Sequence, residues 1–94
     1  PRFGILLDTA HLKVSCNTLN KNIDDEFNKI SPYIKAIHHS DNNGKIDNNK
    51  PISKNYWFLK YLNNFKDISH TIEVKNLKES EIINQINLLK EQWK

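Results

Sequence analysis

The sequence contains one cysteine, Cys16, among its 94 residues, and it lacks any long apolar run. A single thiol excludes an internal disulfide framework and is typical of proteins in a reducing compartment, so we predict a free structural thiol and a cytoplasmic protein. The apolar runs fall well short of the roughly 20 residues that span a bilayer. The first residues also do not resemble a signal sequence, and we therefore expect no membrane partner.

A block of charge of one sign is also lacking. The sequence has 14 basic and 11 acidic residues, which gives a net charge of +3, and the lysines are scattered among the acidic residues. This pattern is typical of a solvated surface and argues against a nucleic-acid partner. The length of 94 residues allows one domain at most, with a proportionally small core and marginal stability.

Three short apolar segments predict β-strands at residues 3–8 (FGILLD), 33–39 (YIKAIHH) and 70–75 (HTIEVK). Apolar residues at helical spacing follow each segment and predict a helix after every strand. These stripes are Ile23, Phe27 and Ile30; Phe58, Tyr61, Leu62 and Phe65; and Ile82, Ile86, Leu89 and Trp93. Asn76 and Glu79 resemble a capping pair, which predicts the start of the last helix.

The predicted order β-α-β-α-β-α indicates an α/β fold with a parallel sheet, because parallel strands need crossover connections and the crossover helices cover a sheet face. The mean unit of about 31 residues matches three of the eight units of a (β/α)8 TIM barrel, although an open doubly wound sheet repeats similarly. Three parallel strands leave two open edges. We therefore expect the chain to be a fragment or one piece of a larger assembly.

Ionisable residues lie at or near the C-terminal end of each predicted strand, namely Asp8, His38 and Glu73. Ligands of α/β proteins bind at the carboxyl ends of the parallel strands, so these three side chains are expected to converge. Two carboxylates and an imidazole suit a divalent metal such as Mn, Co or Zn, or Mg with water completing its shell. Each residue also has a structural role as the alternative to metal binding. Asp8 would cap the following turn, His38 would be a hydrogen-bonded histidine near a barrel rim, and Glu73 would pair with a lysine.

The segments LDTAHL (7–12), HHSDNNG (38–44) and HTIEVK (70–75), in this order and at this spacing, resemble the last three β/α units of the xylose-isomerase-like TIM barrels. That superfamily includes sugar and sugar-phosphate isomerases and epimerases, together with apurinic-site endonucleases. The resemblance covers nearly all of the chain. It implies one partial TIM-barrel domain over residues 1–94, made of the last three units of a (β/α)8 barrel.

The resemblance implies that Asp8, His38 and Glu73 bind a divalent metal (Mn, Co, Mg or Zn) and that Glu73 is also the catalytic acid/base. His11 matches a family histidine that contacts substrate, and Lys75, two residues beyond Glu73, is a candidate contact to a substrate oxygen. The implied activity is a metal-dependent isomerisation or epimerisation of a sugar or sugar phosphate, by proton transfer next to a metal-bound carbonyl. A fourth ligand, a glutamate of an earlier strand, is missing, so the 94 residues alone are expected to be inactive. The implied partner is the missing N-terminal barrel portion or another chain.

Two other functions compete with this interpretation. The first is a metal-dependent phosphodiesterase of the apurinic-site endonuclease type. Asn49 argues against it, because the resemblance aligns Asn49 with a zinc-binding histidine of those enzymes. The second is a non-catalytic barrel fragment that binds a protein partner through its strand edges or through the apolar stripe ending at Trp93. Strand alternation places His39 on the face opposite His38, where a structural role is expected, and His70 is also expected to be structural.

Overall fold

The computed structural model describes residues 4–93, in which the strands form one parallel sheet in the order β1-β2-β3. The strands are β1 (Ile5–Asp8), β2 (Ile34–His39) and β3 (Ser69–Ile72), and the α-helices are α1 (Thr9–Thr18), α2 (Ile23–Ile30) and α3 (Glu79–Lys90). Short 3-10 helices span Ser31–Tyr33 and Leu59–Phe65. The predicted α/β class with a parallel sheet is thus confirmed. Within residues 4–93, the helices are too short or too polar to cross a membrane.

The third strand is shorter than predicted and ends at Ile72, so that Glu73 and Lys75 lie in the connection to α3. The Glu73 N–H still donates to the His39 carbonyl at 2.9 Å, which continues the pairing by one residue. Asn76 then adopts a left-handed φ of 61°, which turns the chain away from the sheet. The first predicted strand began at residue 3, which lies outside the described residues.

Two of the predicted helices differ in detail. The predicted capping by Asn76 is wrong, because α3 begins after Lys78, whose N–H donates to the Glu81 carboxylate at 3.2 Å. The stripe from Phe58 to Phe65 forms a 3-10 helix, a tighter winding used in short connections. The helix α1 was not predicted at all. Its buried residues are small ones such as Ala10 and Cys16, which leave no wide apolar stripe in the sequence.

The helices cover only one face of the sheet. The strand register places Leu7, Ile37 and His70 in one row and Asp8, His38 and Thr71 in the next row, which points to the other face. On the covered face Leu7 and Ile37 are 3% and 0% exposed, whereas Leu6, on the open face, is 55% exposed. Parallel sheets normally have both faces covered, so this open face is a feature that the function must explain.

The core fills the covered face. Aromatic rings from α2 and from the segment before β3 pack edge to face at centroid distances near 5.5 Å, as between Phe27 and Phe58. The buried apolar side chains are Leu7, Phe27, Ile34, Ile37, Ile52, Tyr56, Phe58, Leu62 and Leu89. Cys16 is a free, buried thiol, as predicted, and burial raises its pKa.

The long connection after β2 is fastened to α3 by one buried side chain. Gln85 Oε1 accepts a hydrogen bond from the Ile52 N–H at 2.6 Å, and its Nε2 donates to the Ile52 carbonyl at 3.0 Å. Both residues are buried, so water does not replace these bonds. This clamp satisfies two backbone groups of a segment that has no regular structure of its own.

The Gln85→Leu variant is expected to lower the free energy of unfolding by about 1–3 kcal/mol for each backbone group left without a partner. Asn84→Leu, the same kind of change at the neighbouring exposed position, is the matched control and should change stability little. Urea unfolding of both variants measures the difference. Equal effects at the two positions would contradict the clamp.

A second fastening joins α2 to the 3-10 helix through the Asp24 carboxylate. Tyr61 Oη donates to Asp24 Oδ1 at 2.5 Å, and Lys60 Nζ lies 3.0 Å from the same oxygen. The hydrogen bond from Tyr61, followed by the one from Lys60, lowers the pKa of Asp24. The same bond raises the pKa of Tyr61 to about 12.

Because the folded-state pKa of Asp24 is lowered, its contribution to stability is complete above the ordinary aspartate value of about 3.9 and is lost as the pH falls through the folded value. We therefore expect Tyr61→Phe to be less stable than the unaltered chain at neutral pH, with the gap closing below about pH 4. Urea unfolding across this pH range measures the gap. A gap of the same size at both ends of the range would show that the carboxylate is not responsible.

Candidate functional site

The predicted site residues lie at the carboxyl end of the sheet, on its open face. Asp8 and His38 are register partners on neighbouring strands, and Glu73 follows β3 on the other side of His38. His38 Nδ1 and Glu73 Oε1 are 2.6 Å apart, with 27% and 40% of their side chains exposed. The structure thus brings His38 and Glu73 into direct contact and places Asp8 on the adjoining strand.

Asp8 also begins α1. Its Oδ1 accepts a hydrogen bond from the His11 N–H at 3.0 Å, which is the bond expected of an N-cap residue. Asp8 therefore has the capping role that the sequence analysis left open as its alternative. The strand register places Asp8 beside His38 on the neighbouring strand.

The donor set suits a divalent ion, since carboxylate oxygens and imidazole nitrogen are the ligands that such ions prefer. Among residues 4–93, however, the histidine, cysteine and acidic side chains do not form any cluster of three or more arranged to hold a metal. The contact with Glu73 is made by His38 Nδ1. A carboxylate that fixes a metal-binding histidine through its other ring nitrogen is a common arrangement. The 2.6 Å approach places Glu73 beside His38 Nδ1, where such a carboxylate lies.

The two predicted substrate contacts are less closely tied to the cluster. The side chain of His11 is 70% exposed, and its Nδ1 lies 3.4 Å from Asp47 Oδ2, at the limit of a hydrogen bond. Lys75 is exposed in the connection to α3, and within the described part of the chain it makes no ion pair. The structure therefore brings the His11 backbone into contact with Asp8 and places Lys75 two residues beyond Glu73, in the connection to α3.

The loop after β2 is anchored beside the site by Lys13, a residue that sequence reasoning did not single out. Lys13 Nζ donates to Asp41 Oδ1 at 2.8 Å and also to the Asn42 carbonyl. Asn49 has a φ of 51°, and its Oδ1 accepts from Ser40 Oγ at 3.4 Å. The Asn49 amide is thus bonded to Ser40 and not to His11 or Asp47.

Behind the site, on the covered face, a chain of hydrogen bonds runs through the core. His39 Nε2 lies 2.8 Å from His70 Nδ1, and His39 Nδ1 lies 2.7 Å from Tyr56 Oη. His70 Nε2 lies 2.6 Å from the Phe65 carbonyl oxygen, and Tyr56 Oη lies 2.5 Å from Thr9 Oγ1. These hydrogen bonds link β2, β3 and the start of α1 to the segment before β3.

The carbonyl at one end fixes the proton positions of the two imidazole rings in this chain of hydrogen bonds. A carbonyl only accepts, so His70 Nε2 donates to Phe65, and the neutral His70 ring must accept at Nδ1 from His39 Nε2. His39 Nδ1 then has no proton of its own and accepts from the Tyr56 hydroxyl, whose single proton is therefore not donated to Thr9 Oγ1. Burial, followed by the nearby His70 and His38, lowers the pKa of His39 to about 3, so its ring is neutral at physiological pH.

Strand alternation predicted His39 on the helix side, and the structure confirms it, since His39 is 0% exposed. Sequence reasoning did not identify Tyr56 and Thr9 as its partners. Tyr56 is 3% exposed, and burial raises its pKa well above the ordinary value. Tyr56 lies 17 positions after His39, in a connection without regular structure. The sequence therefore has no periodic pattern that predicts their contact.

A search against protein-family models finds none that matches the chain, and comparisons with curated proteins and with solved structures find no match. The resemblance to the last units of xylose-isomerase-like barrels therefore stays a prediction from residues 7–12, 38–44 and 70–75.

The Tyr56→Phe variant leaves His39 Nδ1 as a buried acceptor without a donor, and we expect the free energy of unfolding to fall by about 1–3 kcal/mol. Tyr61→Phe at pH 7 removes a tyrosine hydroxyl whose Asp24 partner is partly solvated, and it should cost less. Chemical unfolding of the two variants provides the comparison. A Tyr56 variant as stable as the unaltered chain would contradict the assigned direction of the proton.

Proposed function

We propose that the chain carries part of the active site of a divalent-metal-dependent isomerase or epimerase that acts on a sugar or sugar phosphate. The observation that supports this most directly is the contact between His38 Nδ1 and Glu73 Oε1 at 2.6 Å, beside Asp8 at the carboxyl end of a parallel sheet. Binding sites of α/β proteins lie at this end of the strands. Asp8, His38 and Glu73 are also the residues that the family resemblance implies as metal ligands.

We assign a role to each residue from the contacts of this cluster. Asp8 and His38 Nε2 would hold a divalent ion such as Mn, Co, Mg or Zn, whose charge, when bound, polarises a substrate carbonyl. Glu73 Oε1 is held by His38, which leaves Oε2 to take a proton from the carbon next to that carbonyl. In an isomerisation, Glu73 returns the proton to the neighbouring carbon, formerly the carbonyl carbon, while the proton of the adjacent hydroxyl passes to the former carbonyl oxygen. In an epimerisation, a second acid on the opposite face donates a different proton to the same carbon, and the resemblance places that acid, a glutamate, on an earlier strand.

The neighbouring side chains suit the binding of a polar substrate. His11, largely exposed at the first turn of α1, would contact substrate hydroxyls, with Asp47 within 3.4 Å of its ring. Lys75 on the rim would meet a substrate oxygen or a phosphate. These two roles follow from the resemblance and from position, and they depend on a substrate lying over the open face.

The open face supports a larger assembly. Leu6 is 55% exposed beside the site residues, so this face of the sheet is partly open to solvent. A catalytic proton transfer needs a site from which water is excluded, which the uncovered sheet does not provide. We therefore propose that the remaining strands of a barrel, supplied by an N-terminal portion or by another chain, complete the site, and that the enzyme acts in the cytoplasm.

The metal site is testable on the chain itself. Titration with cobalt(II), followed by its visible absorption, should show saturable binding that is lost in His38→Ala, because that variant removes the imidazole nitrogen of the proposed site. Glu73→Gln keeps the shape but weakens the orientation of His38, and a loss of about 10–100-fold in affinity is expected. Asp67→Asn is the matched control, since Asp67 is an exposed acid before the opposite end of β3, and it should bind as the unaltered chain does.

Circular dichroism of each variant verifies that the fold is retained. Absence of cobalt binding by the folded chain, or equal binding by the unaltered chain and by His38→Ala, would overturn the proposed metal site. Equal losses in Glu73→Gln and Asp67→Asn would show that general negative charge, and not this cluster, attracts the ion.

A further inference from the structure

The loop after β2 contains the single Asn–Gly pair of the sequence, Asn43 and Gly44. In such a pair the glycine backbone nitrogen can attack the side-chain amide carbon of the asparagine, because glycine has no Cβ to hinder the close approach. The nitrogen gives its proton to water and bonds to Cγ, the Cγ–Nδ2 bond breaks, and the amide nitrogen leaves as ammonia with a proton from water. Water then opens the resulting succinimide ring at either carbonyl, which gives aspartate or isoaspartate.

The amide of Asn43 is accessible and already has two donors on its oxygen. The side chain is exposed, and the N–H groups of Lys45 and Ile46 donate to Asn43 Oδ1 at 2.8 and 3.2 Å. Negative charge develops on this oxygen when the amide carbon is attacked, and fixed backbone donors stabilise such a charge. The carbon of Asn43 is thus polarised for the reaction.

The attacking nitrogen, by contrast, is held away from Asn43. The Gly44 N–H donates to Asn42 Oδ1 at 2.8 Å, and both residues are buried. In the succinimide, Cγ of the asparagine takes the place that the proton had on the glycine nitrogen, in the plane of the peptide group. That place faces Asn42 Oδ1 as long as the hydrogen bond persists, so Asn43 Cγ does not reach it.

Asn42 and the loop are fixed against α1. Asn42 Nδ2 donates to the carbonyl of Ala10, which is 0% exposed, at 2.9 Å. From the same helix, Asn17 Nδ2 donates to the Gly44 carbonyl at 2.8 Å. Two asparagine amides therefore hold Gly44, Asn42 at the N–H and Asn17 at the carbonyl. The first bond engages the reacting atom, and the second does not.

We propose that Asn43 is a self-modification site, which the hydrogen bond from Gly44 to Asn42 keeps unreactive while the loop is bound to α1. When the loop leaves α1, the Gly44 N–H loses its acceptor and the succinimide forms. This inference does not rest on the proposed function, because the contacts that carry it lie within the loop and α1.

The modification would keep the loop from returning to its place. Isoaspartate adds one methylene group to the main chain before Gly44, which moves Gly44 out of line with Asn42 and Asn17. Water does not convert either product back to asparagine, so the change is one-way. It lies in the loop that contributes Asp47 beside His11, and a chain whose loop has once opened stays marked.

The reaction is measured by incubating the full chain at neutral pH. Chromatography and mass spectrometry of the tryptic peptide 36–45 follow the two products, and a sample that was not incubated gives the background. The chain unfolded in guanidinium chloride gives the rate without the loop contacts. The folded chain reacts through its open fraction, so we expect it to react about tenfold more slowly or less. Equal rates in the folded and the unfolded chain would overturn the proposal.

The variants Asn42→Ala and Asn17→Ala form a matched pair, since each removes one hydrogen bond to Gly44 by the same change. We expect Asn42→Ala to raise the rate at Asn43 about tenfold, because it frees the reacting N–H. Asn17→Ala leaves that N–H bonded and should change the rate much less. Equal acceleration by both would show that loop mobility alone sets the rate, and no acceleration by Asn42→Ala would show that its contact does not protect. Either result overturns the proposal, provided that both variants retain the circular dichroism of the folded chain.

Hydrogen exchange of the Gly44 N–H tests the same point on the unaltered chain. The proposal requires that this proton exchange slowly, and that its exchange and the reaction at Asn43 accelerate together in guanidinium chloride below the unfolding transition. Rapid exchange at Gly44 combined with a slow reaction at Asn43 would contradict the protection by Asn42.

Discussion

The Phe65 carbonyl sets the proton positions on which the middle of the sheet depends. It accepts from His70 Nε2, which makes His70 an acceptor for His39 and His39 an acceptor for Tyr56. These bonds allow two imidazoles and a phenol to lie in an apolar core without an unpaired polar atom. They also hold β2 in one register, because a shift of one residue would turn His39 to the other face and remove it from these hydrogen bonds.

The position of His38 follows from that of His39. Neighbouring residues of a strand point to opposite faces, so a buried His39 directs His38 to the open face, where Glu73 and Asp8 flank it. The dipeptide thus has one structural and one exposed imidazole. Two further hydrogen bonds fix the backbone near the site. Asp8 caps the start of α1, and Lys13 holds the loop after β2 through Asp41.

Alternation and periodicity predicted the parallel α/β fold, the strand cores and the faces of His38 and His39, because these features repeat along the chain. They did not predict α1, whose buried residues are small, or the 3-10 winding of Leu59–Phe65, or the end of β3 before Glu73. The contacts of Tyr56 and Gln85 were also missed. Both join irregular connections to distant elements, and the sequence contains no pattern for a contact between segments that far apart.

The most direct test of this account is the tautomeric state of the histidines, measured by long-range proton–nitrogen NMR above about pH 8, where an ordinary imidazole is neutral. The structure predicts that His39 and His70 each carry their proton on Nε2, that both protons exchange slowly with solvent, and that His39 Nδ1 shows the nitrogen shift of an acceptor. A proton on His39 Nδ1 would contradict this account, because it would reverse the direction of the hydrogen bonds between His39 and its partners. The register of β2, and with it the placement of His38 beside Glu73, would then need another explanation.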